Sequence, residues 1–306
     1  DPGDRVLLRM GNRAEFPFVF FGAIAAGLVA VPTSAQLTAD EAAGLLADSG
    51  ARAVAVDPDL DLAVPQGVSV VTAEDVDGWV ASSDRAEHDL GDPDRPAFVT
   101  YTSGTTGRPK GAELTHFSLD KNQEVVARTL MSITSDDIIM GCLPLFHVFG
   151  LTCGLNAAVR QGATLTLIPR FDPGKALEVI ARDKVTIFEG VPTMYGAMLH
   201  HPAVSETDTS SLRTCVSGGS SLPGETLREF EETFKVSLLE GYGLSETSPV
   251  ASFNMLDQPT KPGTIGRAIP GCEMKLIGED GQTVGPGEGV GEIAIRGDNV
   301  MKGYWG

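Results

Sequence analysis

The plainest chemical content lies in one run, Tyr101-Thr102-Ser103-Gly104-Thr105-Thr106-Gly107-Arg108-Pro109-Lys110-Gly111, directly after the apolar stretch Ala97 to Tyr101. Hydroxyls at Thr102, Ser103, Thr105 and Thr106, with backbone N–H groups left open by Gly104 and Gly107, can wrap anionic oxygens, and Lys110 adds a mobile positive charge. That is the chemistry of a phosphate site. It differs from the P-loop, which needs Gly-Lys-Ser/Thr contiguous at a helix start, because Arg108 and Pro109 separate Gly107 from the lysine. A looser Ser/Thr/Gly run would read as a linker. The preceding strand and the lysine argue against a linker here.

A second block, Gly241-Tyr242-Gly243-Leu244-Ser245-Glu246-Thr247, follows the apolar stretch Val236 to Leu239. The Ser245 hydroxyl can contact an anionic oxygen, Glu246 can hold a hard divalent cation through oxygen, and Tyr242 offers a flat face to a planar ring. Tyr242 reads alternatively as a core aromatic and Glu246 as a surface carboxylate. Gly218-Gly219-Ser220 reads as a tight strand-to-helix turn, with Ser220 or Ser221 capping and Pro223 starting the helix. His147 sits in the apolar run Leu143 to Gly150, where a lone histidine is commonly structural.

These residues need a scaffold, and the hydrophobic pattern supplies one. Thr38 with Glu41 makes a capping box, Gly50 stops that helix, and Ala51 to Val56 reads as the next strand. Thr72 to Pro96 reads as acidic surface helix and loop, and a helix is expected near Phe117 to Leu130. Further strands are expected at Ile138 to Leu143, Thr164 to Ile168, Val185 to Phe188, Leu212 to Val216 and Val236 to Leu239, with helices such as Pro173 to Arg182 and Pro223 to Phe234 between them. Alternating β and α elements imply parallel, doubly wound sheets. Several blocks then fall at strand C-termini, where open α/β sheets bind ligands. From Pro262 onward glycine and proline become dense, and strands at Glu273 to Ile277 and Gly291 to Arg296 suggest a small antiparallel or barrel-like part.

The 306 residues suffice for two globular units at roughly 150 residues each. A net charge of −18 and a pI near 4.6 argue against nucleic acid as a partner. Cys142, Cys153, Cys215 and Cys272 form no CxxC pair, so neither a disulfide framework nor zinc is expected and a reducing cytosol fits. Phe16 to Val31 runs sixteen residues without a charge, short of the roughly 20 needed to span a bilayer. It reads as buried helix plus strand, and the charged opening Asp1-Pro2-Gly3-Asp4-Arg5 does not read as a signal peptide.

The Tyr101 to Gly111 run resembles the signature loop of the adenylate-forming (AMP-binding) superfamily, which includes acyl-CoA synthetases, aryl-CoA ligases, beetle luciferases and peptide-synthetase adenylation domains. Further blocks follow in the superfamily's order: Leu143 to Gly150, Ser217 to Leu222, Gly241 to Thr247, Gly263-Thr264-Ile265-Gly266, and Gly291-Glu292-Ile293 to Gly303-Tyr304-Trp305. The wording is most similar to long- and medium-chain fatty acyl-CoA synthetases. The resemblance implies two doubly wound, mainly parallel α/β lobes, about 1–130 and 131–260, and a partial small β-barrel-like part over 261–306.

It also implies activation of a carboxylic acid by Mg·ATP to acyl-AMP, followed by thioester formation with CoA. Catalysis is then carried by Lys110, Ser245, Glu246 and His147, with Glu246 on magnesium and His147 orienting the acyl carboxylate. Nucleotide contacts fall to Thr102, Ser103, Gly104, Thr105, Thr106, Gly107, Lys110, Gly218, Gly219, Ser220, Gly241, Tyr242, Gly243 and Ser245. The superfamily's amino-acid-activating branch usually carries an Asp near the position of His147, and no acid lies between Leu143 and Leu155 to meet a substrate ammonium. The resemblance therefore favours an uncharged-tail acid, fatty or aryl, over an amino acid, with a fatty acid closest in wording. Two other readings share the blocks: an adenylation domain loading a carrier protein, and a nucleotide-binding relative without activity. The resemblance further implies a cytoplasmic protein, including at a membrane periphery, whose oligomeric state is not readable. The chain is expected to lack the superfamily's C-terminal lid and therefore to bind nucleotide better than it turns over.

Overall fold

The computed structural model describes residues 1–82, 91–102, 109–258, 260–287 and 289–306. The first lobe comprises β1 (Arg5–Arg9), α1 (Glu15–Ala25), β2 (Val29–Thr33), α2 (Ala39–Ser49), β3 (Ala53–Val56), β4 (Ser69–Val71), α3 (Ala73–Ala81), β5 (Pro96–Thr102), β6 (Lys110–Thr115) and α4 (His116–Glu124). The uncharged stretch resolves into α1 and β2, joined through Gly27 at φ +76°. At α2 the Thr38 hydroxyl accepts from the Glu41 N–H while the Thr38 N–H donates 2.8 Å to the Glu41 carboxylate, and Gly50 ends the helix in the left-handed region. Thr72 and Asp75 repeat that device at α3.

The second lobe comprises β7 (Ile138–Gly141), α5 (Ala157–Gln161), β8 (Thr164–Leu167), α6 (Pro173–Asp183), β9 (Ile187–Gly190), α7 (Pro192–Leu199), β10 (Thr214–Ser217), α8 (Gly224–Phe234), β11 (Leu238–Gly243), β12 (Val250–Phe253) and β13 (Arg267–Ala268). β14 (Cys272–Ile277), β15 (Thr283–Val284) and β16 (Glu292–Gly297) form a small antiparallel sheet, and β17 (Gly303–Tyr304) returns to the first lobe. The two large sheets have seven strands each, in the orders β17-β6-β5-β2-β1-β3-β4 and β13-β12-β11-β10-β9-β7-β8. Their centres are parallel; β6 and β17 run antiparallel at one edge and β12 and β13 at the other. The fold is thus the expected pair of doubly wound α/β lobes with a small third sheet. The segment after residue 261 is shared among all three sheets.

Between the large sheets lies a layer made of α4, a π-helical extension over Val125–Leu130, a second π-helical segment over Gly150–Asn156, and α5. Leu119, Leu151 and Leu155 from this layer pack with Phe16, Phe20 and Phe98 of the first lobe. Val126, Leu130, Cys153 and Ala157 pack with Ile139, Ile187, Val216 and Leu239 of the second. The outer face of the second sheet is covered by α6 and α8 through Leu177, Ile180, Leu227 and Phe230. Each such side chain contributes on the order of 1.5–3 kcal/mol by burial. The lobes are also stitched by Asn12, whose amide donates 2.8 Å to the Leu143 carbonyl and accepts 2.9 Å from the Leu145 N–H. Two sequence expectations need amending. The helix near 117–130 is α only to Glu124, its last turns being π-helical. α8 is capped by neither Ser220 nor Ser221: Pro223 holds the cap position without a side-chain bond, and the buried Glu240 carboxylate accepts from the Leu222 N–H at 3.0 Å instead.

Candidate functional site

A cavity of about 290 Å³ opens where the C-terminal ends of β5, β10 and β11 converge with the central helical layer. This is the crevice an open α/β sheet offers a ligand. β5 ends in Thr102 on its wall, β10 contributes Val216, Ser217, Gly218 and Gly219, and β11 contributes Gly241, Tyr242 and Gly243. Val126, Leu130 and Met131 of the π-helical extension close one side, and His147, Val148, Phe149 and Cys153 another. Val126 and Leu130 come from the first π-helical segment and Cys153 from the second, and π-turns are frequent at functional sites.

The glycines serve close approach. A Cβ on Gly218 would stand 3.0 Å from the Phe149 ring, and Gly219 sits at φ +81°. A Cβ on Gly243 would overlap the Pro249 carbonyl. Gly241, Tyr242 and Gly243 are the last residues of β11, paired with β12 through a bulge, and so belong to the strand end rather than to a loop. Tyr242 is half-buried; it lines the cavity while packing against the shared core.

Ser245 and Glu246 follow in a single 3₁₀ turn, and both line the cavity. That turn is pinned from behind. The buried amides of Asn122 and Asn299 donate to the Val250 carbonyl at 2.8 and 2.9 Å, and Asn299 donates to that of Thr247 at 3.1 Å. Glu246 Oε1 accepts from the Tyr304 hydroxyl at 2.8 Å, and the Glu246 carbonyl accepts from the Met301 N–H at 2.8 Å. Lys110 begins β6, opposite Thr102, so it stands on a strand edge and not in a loop. Its side chain is exposed and its Nζ lies 5.4 Å from the Tyr304 ring centroid. Tyr304 thereby bridges the lysine and the carboxylate. The β17 segment that carries it is laced to β6 by Trp305 N–H to the Gly111 carbonyl at 2.7 Å and Lys302 N–H to the Glu113 carbonyl at 2.9 Å.

The sequence-predicted residues therefore divide. Thr102, His147, Gly218, Gly219, Gly241, Tyr242, Gly243, Ser245 and Glu246 share one cavity, and Lys110 lies at its polar edge through Tyr304. Ser220 is exposed and falls outside the lining. Ser103, Gly104, Thr105, Thr106 and Gly107 lie outside the described residues. His147 opens onto the cavity from an apolar wall whose desolvation lowers its pKa, which favours the neutral imidazole. Among the described residues no three His, Cys, Asp or Glu side chains group to hold a metal. Glu246 alone fits Mg²⁺ of the kind held by one carboxylate together with substrate phosphates. Tyr304, Asn122 and Asn299 add contacts to the site beyond the residues expected from the sequence. The Gly291 to Trp305 block contains Tyr304 and Asn299, whereas no motif marks Asn122.

The sequence profile of AMP-binding enzymes matches residues 1–305. A long-chain-fatty-acid–CoA ligase of Bacillus subtilis is 41% identical over 221 residues, 72% of this chain and 38% of that protein. A feruloyl-CoA synthase of an Amycolatopsis species is 36% identical over 318 residues, 100% of this chain and 62% of that protein. The crystal structure of ATP-bound MatB from Rhodopseudomonas palustris superposes with a TM-score of 0.90 at 30% identity, covering 100% of this chain and 62% of that one. The chain thus spans about 60% or less of the length of these relatives. Among the described residues no helix is long and apolar enough to cross a membrane, and all four cysteines are free and buried.

Proposed function

The chain belongs to the family of AMP-binding enzymes, and from that premise we propose that the whole protein activates a fatty acid with ATP to acyl-AMP and passes the acyl group to CoA. One observation carries the reading: a single cavity has a polar edge at Lys110, Ser245 and Glu246 and an apolar interior at Val126, Leu130, Val148 and Val216. Such a cavity suits a molecule with an anionic head and an uncharged tail. The acyl carboxylate attacks the α-phosphorus of ATP, forming the C–O–P anhydride as pyrophosphate leaves; the CoA thiol then displaces AMP. No protein nucleophile is required.

The chain's own work is alignment and charge. Lys110 stabilises phosphate charge, the Ser245 hydroxyl donates to the α-phosphate, and the neutral His147 imidazole orients the acyl carboxylate. Ser103, Gly104, Thr105, Thr106 and Gly107 belong to the same phosphate loop. Tyr242, Gly218, Gly219 and Ser220 form the adenine side. Bound Mg²⁺ on Glu246 would neutralise charge on the leaving pyrophosphate. The free, buried cysteines support a reducing, cytoplasmic location.

The test is acid-dependent exchange of labelled pyrophosphate into ATP by the full-length protein, with octanoate to palmitate as substrates. Exchange followed by a CoA thioester is the expected result. Absence of exchange with every acid would remove the activation step, and thioester appearing only on a phosphopantetheine-bearing carrier would replace CoA as acceptor.

A further inference from the structure

Lys110 and Glu246 carry opposite charges at the polar edge of the site, yet among the described residues they do not meet each other; both meet Tyr304. The Tyr304 hydroxyl donates to Glu246 Oε1 at 2.8 Å, and Lys110 Nζ stands 5.4 Å from the centroid of the same ring. The hydrogen bond to Glu246 raises the Tyr304 pKa above its ordinary value of 10.0, so the phenol remains a neutral donor. Its side chain is 46% exposed, so burial in the core does not account for its place.

The frame around this ring is rigid. Gly303 and Tyr304 are the register partners of Glu113 and Ala112 in β6, and the Met301 N–H donates 2.8 Å to the carbonyl of Glu246 itself. On the other side the Trp305 indole N–H donates 3.1 Å to the Asp48 carbonyl. The carboxylate and its donor are therefore tied to one another through backbone as well as through side chain. A carboxylate with one oxygen held in this way offers the other to a cation in a fixed orientation, and partners that orient a ligand are worth about 10- to 100-fold in metal affinity. A lysine and a carboxylate free to pair would instead take each other from the phosphate and the cation.

We propose that Tyr304 is a positioning residue: its hydroxyl orients Glu246 for the magnesium that arrives with ATP, and its ring keeps Lys110 from closing on that carboxylate. The lysine is thereby left for phosphate. The inference rests on the acid-activation reading above and adds to its head-group site a residue that touches neither substrate nor the reacting atoms.

The experiment is calorimetric binding of ATP to the full-length protein without any acid, once with saturating Mg²⁺ and once in EDTA, so that no turnover enters the readout. The wild type is expected to bind Mg·ATP more tightly than metal-free ATP. Tyr304→Phe keeps the ring and loses the hydroxyl, so its Kd for Mg·ATP should rise about tenfold while that for metal-free ATP stays unchanged. Tyr304→Leu loses the ring as well and frees Lys110 to pair with Glu246, so both constants should rise. In a Glu246→Gln background Tyr304→Phe should change nothing further, because the hydroxyl acts through the carboxylate. A Tyr304→Phe protein that loses affinity equally for both forms, that keeps both constants, or that binds Mg·ATP more tightly would overturn the proposal. So would additive effects of the Phe and Gln substitutions, the mark of a merely structural residue. Pyrophosphate exchange that is retained together with an unaltered metal preference in Tyr304→Phe leaves acid activation standing and removes this inference alone. A wild type that binds neither form of ATP removes both.

Discussion

The two ends of the cavity are built on opposite principles. At the polar edge, Lys110, Tyr304 and Glu246 meet at 5.4 and 2.8 Å on exposed or half-exposed side chains, held by backbone bonds between β17, β6 and the 3₁₀ turn. Solvent screens these charges until a ligand excludes it, so they cost the fold little. Behind the cavity wall Glu189 Oε1 and Ser217 Oγ are buried with no hydrogen-bond partner among the described residues. Burying such groups without partners lowers the stability of the fold. The edge is polar and open to solvent, whereas the wall behind the cavity holds its polar groups in the core.

The contrast is sharpest in how each end tolerates an added methyl. Gly243→Ala puts a Cβ onto the Pro249 carbonyl, which is backbone, and the adjoining Val250 is clamped by Asn122 and Asn299. Gly154→Ala meets only side-chain ends, Glu189 Oε2 at 3.3 Å and Leu165 Cδ1 at 3.9 Å, which can yield. We expect Gly243→Ala to cost about 3 kcal/mol in denaturant unfolding and Gly154→Ala about 1 kcal/mol. Equal losses would show that the strand end at the edge is as pliable as the inner wall.

A second prediction isolates the buried acid. The folded-state pKa of Glu189 is about 8, against an ordinary value of 4.5. Below about pH 4.5 the group is protonated in both folded and unfolded chains and contributes no pH dependence. Between these values the unfolded chain releases its proton and the folded one does not, so wild-type stability falls by up to about 1.4 kcal/mol per pH unit. Glu189→Gln removes that slope. The variant should gain about 2.5 kcal/mol on the wild type between pH 5 and pH 7, read from parallel denaturant titrations, the other carboxylates cancelling in the difference. A constant difference across that range would mean the carboxyl is ionised and partnered after all.

The same contrast marks what could be read without a structure. The strands and the Thr38–Glu41 cap follow from local periodicity and capping, which sequence carries directly, whereas the two-lobed order follows from chain length and the family resemblance. The edge blocks were legible because glycine and hydroxyl runs at strand ends advertise close backbone approach to an anion. Tyr304 reaches Glu246 from a strand 58 residues later, and Asn122 reaches Val250 across 128 residues, so neither contact has a local signature. Glu189 was hidden differently. Nothing local in Val185-Thr186-Ile187-Phe188-Glu189 shows that its last carboxyl is buried, yet it stands on a central strand beside Val216 and against Gly154 of the π-helical segment. The π-turns were equally invisible, since α and π segments share one hydrophobic pattern over so short a length.

The smallest expected effect is the one that best separates the ends. Lys110 is exposed on β6, and its visible contact is a cation–π approach to Tyr304, worth about 0.5–1 kcal/mol at such a site. Lys110→Ala should therefore lower unfolding stability by no more than that. A charge-assisted contact to phosphate, formed where the bound nucleotide excludes water, is worth about 1.5–3 kcal/mol. Taking about 2 kcal/mol, pyrophosphate exchange by the full-length Lys110→Ala protein should fall about 30-fold for every acid alike. The uniformity matters as much as the size. A lysine acting on the head group cannot sense the tail, so the ranking of acids must survive the substitution. If Lys110→Ala instead reordered the acids, the edge and the inner end would be coupled through the central helical layer, and the division between them would fail.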